Sequence, residues 1–133
     1  MKDRTNDRRC EFCGAVRCAE IFDRCLAKEF EDAAFFAVHH LTVSAYALQH
    51  GHYEPEVVGA VATMMLGSVD GPPTAGTAEE MRARFSGLTR VRSRAAVTAR
   101  PVTQSIATVD FSTPEAYRES VRAWAKAVAR SVL

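Results

Sequence analysis

The sequence predicts a small, mainly α-helical bundle with an N-terminal zinc knuckle and a helix hairpin. Three observations carry that expectation. Apolar residues recur at helical spacing along most of the chain. Prolines and glycines stand where helices begin and end. A Cys-x2-Cys-Gly run, Cys10 to Gly14, comes just before the first helical segment. At 133 residues, 47% apolar and 25% charged, the chain suits one domain with a core of its own. Residues 1–9 are polar and read as a flexible arm. Residues 10–133 read as one helical zinc-binding domain.

The elements follow in order. A first helix is expected from about Cys18 to Phe30, with Ile21, Phe22, Cys25, Leu26 and Phe30 on its apolar side. Glu31-Asp32 makes a corner, and Asp32 suits the cap of a second helix. That helix is expected to run unbroken from Ala33 to His50 and to stop at Gly51. A third, strongly apolar helix follows Pro55. Gly71-Pro72-Pro73 marks a loop, and residues 77–86 read as a short amphipathic helix. From Leu88 to Phe111 the pattern is irregular, consistent with extended chain or weak strand. The last helix is the best signalled: Thr113-Pro114-Glu115 supplies cap, first-position proline and early acid. Tyr117, Val121, Trp124 and Val128 then form one stripe.

Bulk properties exclude several classes. A net charge of +1 argues against strong non-specific attraction to nucleic acid. No stretch reaches the length of a transmembrane helix. The N-terminus lacks the apolar core of a secretory signal. A cytoplasmic setting is expected, where four cysteines read better as metal ligands or core residues than as disulfides.

The cysteine spacing carries the chemistry. Cys10 and Cys13, two residues apart, can bend two thiolates onto one tetrahedral zinc. Gly14 offers the permissive backbone such a turn needs. Cys18 is a third candidate ligand, and a place in the first turn of a helix would favour its thiolate. The fourth ligand must come from afar. His39 and His50 lie eleven residues apart on one helix face, a rise of about 16 Å, so they cannot share a metal. Folding the first two helices as an antiparallel hairpin about residue 32 places Cys18 near Tyr46 to His50 and Cys25 near His39. His50 is then the nearer donor. Two arrangements stay open: Cys10, Cys13, Cys18 and His50 close a tetrahedron, or water or substrate fills one position. Thiolate-rich tetrahedral sites suit zinc or iron–sulfur chemistry, and Zn2+ is the expected cofactor.

His39, Val43, Tyr46 and His50 share a helix stripe. A pocket holding metal, imidazole and phenol is able to do acid–base work, with His39 as base and Tyr46 as donor. The plainer reading is a polar seam that sets helix register. Cys25 reads as a buried core residue and His52 as an exposed loop residue. His40, Gln49 and Glu29 read mainly as exposed, with Glu29 also placed to orient a histidine. The arginines from Arg82 to Arg100, and Arg118, Arg122, Lys126 and Arg130 on the last helix, read as solvated faces.

The order Cys10-x2-Cys13-Gly14-Ala15, then Cys18, then His39-His40-Leu41-Thr42-Val43-Ser44-Ala45-Tyr46-Ala47-Leu48-Gln49-His50 resembles a bacterial family catalogued as domain of unknown function 5946. Thr113-Pro114-Glu115 and Val121-Arg122-Ala123-Trp124 add to the similarity. The resemblance implies that Cys10, Cys13, Cys18, His39, Tyr46 and His50 belong to one site. Ser44 stands where the family often has aspartate, and Gly51 where it often has proline. The expected function is that of a small zinc-binding accessory or binding protein with a small-molecule or protein partner. The alternative is a small zinc-dependent enzyme using His39 and Tyr46 beside the metal.

Overall fold

The computed structural model describes residue 10, residues 12–69 and residues 104–133. The expected helix over residues 77–86 and the arginines from Arg82 to Arg100 lie outside the described residues, as does the N-terminal arm. Among the described residues the chain is all helical: α1 (Cys18–Glu31), α2 (Ala33–Phe36), α3 (His39–Gln49), α4 (Pro55–Gly67) and α5 (Pro114–Ser131). A short 3-10 turn, Ile106–Thr108, precedes α5 where extended chain or weak strand was expected.

The helix ends follow local chemistry. Asp32 accepts from the Ala34 N–H at 2.9 Å and starts α2. Thr113 accepts from the Ala116 N–H at 3.0 Å, with Pro114 opening α5. At the end of α3 the His52 N–H reaches the Ala47 carbonyl at 2.8 Å and the Gly51 N–H reaches Leu48 at 3.2 Å. This is a Schellman stop. It requires the left-handed Gly51, at φ 69°, a conformation closed to proline.

One expectation fails. The helix expected from Ala33 to His50 breaks after Phe36 and resumes at His39. The break frees the Ala34 carbonyl, which accepts from Arg118 Nη1 of α5 at 2.9 Å. In an unbroken helix the Val38 N–H would hold that carbonyl. A tertiary partner therefore replaces a local bond, with no glycine or proline to announce it.

Helix α5 closes the core against α3 and α4. Tyr117, Val121, Trp124 and Val128 are fully buried, as their stripe predicts. Trp124 donates its indole N–H to Gln49 Oε1 at 2.9 Å, and Gln49 donates to the Gln104 carbonyl at 3.1 Å. Gln49 and Glu29 are thus buried, not exposed as expected. Each sits where a buried partner satisfies it. No described helix is long and apolar enough to cross a membrane.

Candidate metal centre

The knuckle is built by backbone first. The Cys10 N–H donates to Ala15 and the Gly14 N–H donates to Cys10, each at 2.8 Å. Gly14 takes φ 77°, the left-handed region in which a Cβ is costly. The Phe12 N–H points at Cys10 Sγ, 3.4 Å away. Arg17, also left-handed at φ 58°, turns the chain so that Cys18 becomes the first residue of α1.

His50 arrives from the far end of α3. Its Nδ1 donates to the Tyr46 carbonyl at 2.7 Å, leaving Nε2 to face Cys18 Sγ at 3.6 Å. The hairpin is antiparallel, as expected: the start of α1 meets the end of α3. One ligand atom from each of Cys10, Cys13, Cys18 and His50 lies within 4.8 Å of all the others. A tetrahedron with metal–sulfur bonds of ~2.3 Å has edges a little under about 4 Å. The cluster is therefore a Cys3His set geometrically suited to a metal ion.

The electrostatics fit a site that must lose protons to bind. Burial pushes the Cys13 thiol up to about 12. Burial and the neighbouring Cys10 thiol also raise Cys18. Burial works on Cys10 too, but N–H donors from Cys13 and Phe12 and the adjoining thiols hold it below the ordinary thiol range. Burial lowers His50 and so favours the neutral imidazole a metal needs. Tyr46 stacks on Phe22 with ring centroids 4.1 Å apart and directs its hydroxyl at Cys18 Sγ, 4.0 Å away. Burial and the thiols raise Tyr46, so it stays a neutral phenol and a donor.

A family model described as a family of unknown function, DUF5946, matches residues 8–132. The chain belongs to the DUF5946 family. No curated protein matches it, and neither does any solved structure.

The six residues that the family resemblance groups together are divided in this DUF5946 chain. Tyr46 joins the cysteines and His50. His39 does not: it begins α3 and lies about 16 Å along the helix from His50. His39 Nδ1 instead donates to Glu29 Oε1 at 2.7 Å. The other Glu29 oxygen accepts from Thr42 Oγ1 at 2.6 Å and from the Tyr117 hydroxyl. Cys25 is fully buried beside Tyr117, and burial pushes its thiol up to about 11. It is a core residue of the DUF5946 chain, outside the Cys3His cluster.

The other candidates also find places. His52 is half-buried, its ring centroid 5.9 Å from that of His50. Ser44 is buried. His40 Nε2 and Arg122 Nε are buried atoms without a hydrogen-bond partner among the described residues. Sequence reasoning missed Thr42 and Tyr117 as partners of Glu29. Tyr117 did stand on the buried stripe of α5, where a phenol needs an acceptor, but nothing local said which.

Proposed function

We propose that this chain is a small zinc-binding protein whose metal ties the N-terminal knuckle to the α1–α3 hairpin, and that it acts as an accessory or binding protein. The convergence of three thiols and one imidazole within 4.8 Å carries the reading. That donor set suits zinc, and four protein ligands make a closed, structural type of site. Tyr46, hydrogen-bonded toward Cys18, and the Tyr46 carbonyl, which orients His50, form the outer shell that tunes such ligands. Four free thiols fit a reducing, cytoplasmic setting.

The enzymatic alternative draws less support. It needs an open coordination position and His39 within reach of it. The cluster fills four positions, and His39 belongs to another centre.

The test is metal content of the untagged chain by mass spectrometry, repeated on Cys13→Ser, His50→Ala and His39→Ala. One zinc per chain, lost with the first two changes and kept with the third, is the expected result. Zinc retained in both His50→Ala and His39→Ala would leave a position open to water and favour the enzyme. No metal after zinc supply would overturn the proposal.

A further inference from the structure

The three thiols of the metal site do not stand equally open. Cys13 is buried, at 9% exposure, whereas Cys10 and Cys18 are half-buried. Cys18 Sγ is flanked by His50 Nε2 at 3.6 Å and by the Tyr46 hydroxyl at 4.0 Å. Cys10 Sγ meets a backbone group instead, the Phe12 N–H at 3.4 Å. Cys10 is thus the sulfur that a small solute reaches first, and access helps decide which cysteine of a group is oxidised.

The backbone also selects its partner. The Gly14 N–H donates to the Cys10 carbonyl, and the Cys10 N–H donates to the Ala15 carbonyl. These bonds hold Cys10 and Cys13 in one turn, with their sulfurs within 4.8 Å of each other. A bond between them closes a loop whose ends are already together, so it costs little chain entropy. Cys18 stands beyond the left-handed Arg17, fixed as the first residue of α1. Cys25 lies in the core, outside the cluster.

We propose that this site is a redox switch, in which hydrogen peroxide joins Cys10 to Cys13 as a disulfide and frees the metal. The inference rests on the zinc reading above and names how that site is regulated. The Cys10 thiolate attacks peroxide: an S–O bond forms, the O–O bond breaks and hydroxide leaves. The Cys13 thiolate then attacks the Cys10 sulfur: the S–S bond forms, the S–O bond breaks and a second hydroxide leaves. The two thiolates lose two electrons, peroxide gains them, and two solvent protons complete two waters. Cys18 and His50 remain as donors, too few for a closed tetrahedral site. The knuckle thereby loses its metal tie to the α1–α3 hairpin. A dithiol reductant reverses the step by exchange.

The test loads the reduced full chain with zinc, removes the excess, and adds hydrogen peroxide beside a chromogenic zinc chelator. Release of all the bound zinc is expected, well ahead of a control without peroxide, and dithiothreitol should restore binding. Trypsin cuts after Arg9 and Arg17, so Cys10 and Cys13 share one peptide and Cys18 begins the next. Mass spectrometry should find the 10–17 peptide lighter by two hydrogens, whereas a disulfide to Cys18 would cross-link two peptides. Zinc retained after peroxide, a cross-link to Cys18, or oxidation to sulfinic acid without a disulfide would overturn the switch and leave the zinc reading standing. A reduced chain that takes up no zinc would overturn both.

Discussion

His50 donates its Nδ1 hydrogen to the Tyr46 carbonyl, one turn back on α3, at 2.7 Å. Only Nε2 is then free for a ligand, and it faces Cys18. We predict that His50→Ala lowers zinc affinity by more than about tenfold. Competition with a chromogenic chelator reads this directly, and an unchanged affinity would remove His50 from the ligand set.

Cys25 provides the matching control. It is as buried as any residue in the core but stands beside Tyr117 and Glu29, not the knuckle. Cys25→Ala should keep one zinc per chain and lower stability in urea. Loss of metal from this variant would mean that the cluster is wrongly drawn.

Metal loading should release protons. Without metal, Cys13 and Cys18 lie above the ordinary thiol range, so they are protonated near neutrality. Zinc binds thiolates, and apparent affinity should therefore climb as pH rises. Zinc added to a weakly buffered solution should acidify it, and a pH-independent affinity would contradict thiolate ligation.

Acid should weaken the metal-free fold by a separate route. Burial holds His40, His50 and His52 below the ordinary histidine value. The unfolded chain then binds more protons than the folded one as pH falls through about 6.5. Stability should thus be highest above that value and fall below it until the folded-state values are passed. Urea midpoints in chelator at several pH values test the sign.

Buried polar pairs hold the bundle in register. Gln49→Leu would leave the Trp124 indole N–H buried without its acceptor, a loss of about 1–3 kcal/mol. Trp124 is the single tryptophan, so its fluorescence reports the unfolding. Tyr117→Phe removes a hydrogen bond to the buried Glu29 carboxylate, which should cost about 1.5–3 kcal/mol. Stability within a few tenths of wild type in either variant would show that the pair bears little weight.

Much of this fold was legible locally. The cap at Thr113, the proline at 114 and the Tyr117–Trp124–Val128 stripe are short-range signals, and α5 follows them closely. The gathering of Cys10, Cys13, Cys18 and His50 was nearly legible as well. Cys10, Cys13 and Gly14 announce a knuckle, and one hairpin fold about residue 32 brings His50 to Cys18. That reasoning worked because the α1–α3 pairing is antiparallel and the break after Phe36 still leaves His50 opposite Cys18.

The sequence by itself determined the helix ends at Asp32, Gly51 and Thr113, the α5 face and the thiol spacing, because neighbours along the chain settle those through capping, periodicity and reach. Only the tertiary structure decided the break after Phe36 and the separation of His39 from the cysteines. Both depend on partners far away in the chain: Arg118 takes the carbonyl that an unbroken helix would use, and Tyr117 joins Thr42 around Glu29. A buried carboxylate must find its donors wherever packing brings them. Spacing along one helix cannot show that they come from another.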